Sequence, residues 1–139
     1  MSGHSGVILL VEDNVDDVFL TTRTLRKNHL GGEIVVARDG VEALELLLPA
    51  DGRNPLRPTI VLLDIKMPRI GGLEVLARLR SEEVTRSLPV IVLTTSAEER
   101  DLADSASPGV NSYVSKPVKP KEFLAASLAL GVHWGRPVG

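Results

Sequence analysis

Between positions 59 and 72 the chain reads TIVLLDIKMPRIGG, and no other stretch limits so strongly what the whole can fold into. Ile60, Val61, Leu62 and Leu63 form an unbroken apolar run with two β-branched members, and a loop punctuated by Pro68, Gly71 and Gly72 follows. A short run without polar alternation suits a strand buried on both faces, closed by a loop and then a helix. Where the apolar residues stop stands Asp64. In open α/β sheets ligands and chemistry collect at the carboxyl ends of the strands, which makes Asp64 a candidate active residue. The competing reading is a cap for the next turn, a common place for Asp.

The rest of the chain repeats the pattern. VILLV at 7–11 is another buried-strand run, ending in Glu12, Asp13 and Asn14. Asn14 can cap a helix in which Val18, Phe19 and Leu25 recur at helical spacing, while Asp16 and Asp17 complement the dipole of its first turn. A second strand is predicted over 34–37 and a helix over 40–48, ended by Pro49; 51–58, with two prolines and a glycine, reads as a loop. Leu73, Leu76, Ala77 and Leu79 mark a third helix running to about 83. A fourth strand at 90–93 ends in Thr94, Thr95 and Ser96. The helix predicted over 97–106 has Leu102 as its one large apolar residue, so weak anchorage makes it the element most able to move. A short strand at 112–115 leads to Lys116-Pro117, and the last helix is predicted over 120–133.

Five strand-helix units in alternation predict an α/β fold, a doubly wound parallel sheet of flavodoxin-like order 2-1-3-4-5 with five helices. In that order the first and third strands are neighbours, so Glu12, Asp13 and Asp64 converge at one rim, and Thr94 and Lys116 arrive beside them.

Composition removes several classes of function. The 139 residues suit one domain, 1–139 with a core of about 7–133, and leave no room for a second, output domain. The 16 Lys and Arg against 18 Asp and Glu include no basic run, and the four aromatics (Phe19, Tyr113, Phe123, Trp134) offer no stacking platform, so nucleic-acid binding is not expected. The chain has no cysteine, no apolar stretch long enough to span a membrane and no signal peptide at its start, which predicts a soluble cytoplasmic protein.

Three carboxylates at one rim repel one another by several kcal/mol at the effective dielectric of a protein surface. A divalent cation relieves that conflict, and an all-oxygen ligand set favours Mg²⁺, or Mn²⁺, over zinc. With the charge neutralised, a free oxygen of Asp64 can attack phosphorus, and the Lys116 ammonium and Thr94 hydroxyl can supply the remaining alignment. VEDN at Glu12-Asp13, LLDIKMPRIGG at Asp64, Thr94, Tyr113 and the KP of Lys116 together resemble a response-regulator receiver domain of two-component signalling, over about 7–133. LTTSAEERD, NSYVSKPV and the trailing HW resemble the stand-alone regulators paired with bacterial phytochromes.

The resemblance implies a phosphorylation switch rather than an enzyme, fed by a histidine kinase, with a bacterial phytochrome as the expected partner. It implies that Asp64 is the phosphoacceptor and that Asp13, Asp64 and the backbone carbonyl of Lys66 ligate Mg²⁺, with Glu12 acting through water. Thr94 and Lys116 would hold the phosphate oxygens, Tyr113 would move inward as Thr94 is drawn to the phosphate, and Lys116-Pro117 would be cis. Lys66 departs from the small polar residue many members carry, and its side chain either reaches over the site or lies in solvent.

Two other readings keep the fold. A small Mg²⁺-dependent aspartyl phosphatase would carry a second acid two residues beyond Asp64, where Lys66 stands. A phosphorylation-independent interaction module would lose an acidic or lysine position, and none is lost. The histidines His4, His29 and His133 fall away from the rim and no Gly-x-Ser-x-Gly turn occurs, which sets aside serine-hydrolase chemistry. In the last helix Phe123, Leu130 and Trp134 form one apolar stripe and Leu124, Leu128 and Val132 another. One stripe suffices for a core, so the second predicts a homodimer through this helix.

Overall fold

The computed structural model of the chain describes residues 6–67, 70–106 and 112–134. Among them five strands run parallel: β1 (Val7–Val11), β2 (Glu33–Ala37), β3 (Ile60–Asp64), β4 (Val90–Thr94) and β5 (Ser112–Ser115), in the order β2-β1-β3-β4-β5. Five helices, α1 (Val15–Lys27), α2 (Gly40–Leu47), α3 (Gly72–Ser81), α4 (Ala97–Ala106) and α5 (Pro120–Ala129), alternate with them. Successive side chains of a strand point to opposite faces, and the apolar runs feed two separate cores. Ile8, Leu10, Leu62, Ile91 and Leu93 meet Leu25 of α1 and Phe123 of α5 on one face. Leu9, Val11, Leu63 and Val92 meet Ala43 of α2, Val75, Leu76 and Leu79 of α3, and Ala103 of α4 on the other. Helices on both faces leave no solvent-facing side, which is why the strands are apolar without alternation.

Register places the reactive residues. Val11 lies opposite Leu63, so the residues that follow, Glu12 and Asp64, stand level across the β1–β3 pair. Thr94 lies opposite Ser115, which sets Lys116 beside the end of β4. The loop after β3 is drawn in tightly. A Cβ on Gly72 would fall 2.2 Å from the Asp64 carbonyl oxygen, so only glycine lets α3 begin against the strand that carries Asp64.

Several expectations are corrected. The last helix stops at Ala129 rather than 133: Gly131 adopts φ 79°, and the Val132 amide donates back to the Ser127 carbonyl, the turn by which helices commonly end. Val132 and Trp134 then fold into the core, with Trp134 stacked on Phe123 at 5.9 Å. The two stripes drawn over 120–133 therefore do not form, and the exposed large apolar side chain left on α5 is Leu128. Phe19 is not on the buried face of α1 but 60% exposed, because Thr21 and Leu25 occupy that face. On α4 the inward residue is Ala103, while Leu102 points to solvent. Helices α2 and α3 end one and about two residues before the predicted limits, and β2 starts one earlier. His29 and His133 follow the ends of α1 and α5 remote from the strands' carboxyl ends, and His4 lies outside the described residues. Among the described residues no helix is long and apolar enough to cross a membrane.

Candidate functional site

The ends of β1 and β3 bring together one carboxylate oxygen each from Glu12, Asp13 and Asp64, all within 4.8 Å of one another. Glu12 is held from several sides. Its amide donates to the Ala37 carbonyl of β2 at 3.0 Å, and its Oε2 accepts the Asn14 amide at 3.3 Å. Asn14 caps α1 as predicted, its side chain accepting the Asp17 amide at 2.9 Å. Asp13 is exposed, while Glu12 and Asp64 are buried.

Lys116 answers the cluster. Its Nζ lies 2.9 Å from Asp17 Oδ2, 3.0 Å from Glu12 Oε1 and 3.5 Å from Asp64 Oδ2. Its amide donates to the Thr94 carbonyl at 2.9 Å, and the Lys116-Pro117 bond is cis, as the resemblance implies. Burial alone would weaken the ammonium, but the hydrogen bonds to Asp17 and Glu12 and the charge of Asp64 outweigh it and hold Lys116 above its ordinary pKa. One ammonium does not balance four carboxylates. Burial, then a carboxyl–carboxyl contact with Asp64, pushes Glu12 up to about 7 against the pull of Lys116. The excess negative charge, the oxygen-only donors and their mutual approach fit a small hard divalent cation, with Glu12, Asp13 and Asp64 as the residues able to hold it.

Around this centre the other expected residues take distinct places. Thr94 is buried at the end of β4. The Lys66 amide donates to Asp64 Oδ1 at 3.4 Å, while its side chain takes the second of the two predicted positions, lying largely in solvent with its ammonium 3.0 Å from Glu99 Oε2. Tyr113 is not part of the carboxylate cluster. It faces α4, its hydroxyl donating to Asp104 and its ring lying under the Arg100 guanidinium at 4.8 Å. Burial and the hydrogen bond to Asp104 both raise the Tyr113 pKa. A cleft of about 280 Å³, lined by Thr94, Ala97, Arg100, Tyr113, Ser115 and Glu122, opens between Tyr113 and the end of β4.

Sequence reasoning missed Asp17 and Glu99. Asp17 reads as a dipole-complementing residue, yet the same place in the first turn of α1 points it at Lys116. Glu99 sits three residues after Ser96, the spacing of a capping box, and that spacing was the available signal.

The chain matches the response regulator receiver domain over residues 8–127. A structure of the bacteriophytochrome response regulator AtBRR is 44% identical with a TM-score of 0.87, covering 99% of this chain and 100% of that one. The response regulator Rcp1 of Synechocystis sp. is 34% identical over 92% of this chain and 88% of its own length. A structure of the Mn²⁺-bound form of Rcp1 is 35% identical with a TM-score of 0.70, covering 91% of this chain and 90% of that one.

Proposed function

The chain belongs to the response regulator receiver domain family, and on that premise we propose that it takes a phosphoryl group on Asp64 from a phosphohistidine of a histidine kinase. The observation that carries this is the position of Asp64: buried, beside Glu12 and Asp13, with one oxygen 3.5 Å from the Lys116 ammonium. In the reaction an Asp64 oxygen attacks phosphorus, the phosphorus–nitrogen bond breaks, and the imidazole leaves and takes up a proton. Hydrolysis of the resulting acyl phosphate returns the carboxylate. Lys116 tracks the charge onto the new phosphoryl oxygens, and the Thr94 hydroxyl, one residue further along the rim, donates to another.

Asp13, Asp64 and the Lys66 carbonyl are the proposed ligands of Mg²⁺, or Mn²⁺, with Glu12 acting through water. Such a cation supplies charge neutralisation at the transferring group. Tyr113 is the proposed switch residue: as Thr94 is drawn toward the phosphoryl group, the cleft beside it gives the ring somewhere to go. The likeness to AtBRR, a bacteriophytochrome response regulator, supports a bacteriophytochrome as the kinase. The phosphatase reading is weakened by Lys66, whose ammonium pairs with Glu99 where that chemistry would need an acid. Intact mass after incubation with phosphoramidate and Mg²⁺ tests the proposal. One phosphoryl group is expected on the wild type and none on Asp64→Asn; undiminished modification of the variant would sink it.

A further inference from the structure

Glu99 is a buried carboxylate that the proposed chemistry does not use. It is 4% exposed, on the first turn of α4, a helix whose one large apolar residue points to solvent. In an ordinary capping box the acidic side chain returns to the amide of the capping residue. Here the Glu99 amide donates to Ser96 Oγ at 3.2 Å, but the carboxylate passes over Ser96 and takes Thr95, accepting the Thr95 amide at 2.9 Å and its hydroxyl at 3.0 Å. The second oxygen also meets Lys66 Nζ at 3.0 Å. Thr95 is the residue immediately after Thr94, the last residue of β4, so its two hydrogen bonds to Glu99 tie down the chain on the side where the sheet no longer holds it. Magnitudes rank the contacts. The Lys66 side chain is 78% exposed, and ion pairs with such a partner contribute little. Charge-assisted hydrogen bonds to a buried carboxylate contribute more, and their loss leaves a group stranded away from water.

We propose that Glu99 is a positioning residue for phosphoryl transfer, acting through its two hydrogen bonds to Thr95 to hold the Thr94 hydroxyl where the transferring group needs it, with Lys66 as charge partner only. The inference rests on Asp64 being the phosphoacceptor. A misplacement of about 1 Å at a reacting centre can cost as much as two orders of magnitude in rate. Removing Glu99 allows the loop to relax rather than forcing it away, so a loss on the order of tenfold is expected.

The test is the rate of phosphorylation by phosphoramidate, followed by intact mass, in a cycle of Glu99→Ala and Thr94→Ala. E99A is expected to be about tenfold slower than the wild type and T94A slower still, and E99A is expected to add nothing on the T94A background. A merely structural capping role would slow both backgrounds alike, and that result overturns the proposal. Glu99→Gln, which can still accept the Thr95 amide, is expected to stay within about twofold of the wild type. E99Q as slow as E99A would place the effect in the charge and overturn positioning. Should E99A fail to fold, Thr95→Val removes one of the two hydrogen bonds and is expected to be a few-fold slower; an unchanged rate there overturns the proposal. A wild type that takes no phosphoryl group on Asp64 removes the reading of the site itself. A wild type that is modified normally beside an equally fast E99A removes only the role of Glu99.

Discussion

Glu12 illustrates how a site can be ready for a cation at the expense of its own stability. Its carboxyl is buried and pushed up to about 7 in the folded chain, against 4.5 for an ordinary glutamate. Between those values the folded state holds a proton that the unfolded chain has released, so stability falls as pH rises from about 4.5 to about 7 and does not return above it. The loss can reach on the order of 3 kcal/mol, from about 1.4 kcal/mol per pH unit. Glu12→Gln carries no such titration. In chelator, the unfolding free energy of E12Q is therefore expected to rise relative to the wild type from pH 5 to pH 8. Denaturant titrations that give a constant difference across that range would contradict the account.

At the scale of elements, the strands and the order of the sheet were legible because burial on both faces leaves no alternative for runs such as VILLV and IVLLD. Register then brought Glu12, Asp13, Asp64, Thr94 and Lys116 to one rim, as alternation of strands and helices implies. What the sequence did not disclose lies where helices end or turn. Periodicity continues through Gly131, and only its positive φ turns Val132 and Trp134 back into the core. Phe19 looks like core by spacing, yet Thr21 is the residue that faces inward. Asp17 and Asp104 gain partners from elements that are remote or separately folded, and spacing within one helix cannot show them. Two glycines separate close approach from backbone conformation. Gly72→Ala drives a Cβ to 2.2 Å from the Asp64 carbonyl oxygen and is expected to cost about 2–4 kcal/mol, because main chain must move. Gly131→Ala meets nothing within 4 Å and carries only the left-handed penalty, about 1–2 kcal/mol. Denaturant midpoints should rank the two in that order; equal losses would mean that α3 does not lean on Asp64.

For the molecule as a whole, the two cores give a rigid frame, and the parts that differ in anchorage are arranged around one rim. Helix α4 is seated by Ala103 and by polar links to three other elements: Lys66 after β3, Thr95 after β4 and Tyr113 of β5. Polar links of this kind can exchange partners where interdigitated apolar packing cannot slide without opening voids, so a charge arriving on Asp64 has its readiest route outward through α4. Everything in this account depends on where that charge arrives. The most direct measurement is to incubate the protein with phosphoramidate and Mg²⁺, reduce the acyl phosphate with borohydride and map the product by peptide mass. The account predicts homoserine at position 64 alone, and no product when Mg²⁺ is withheld. Reduction at Asp13, Asp17 or another carboxylate, or phosphate retained on a hydroxyl such as Thr94, would contradict it.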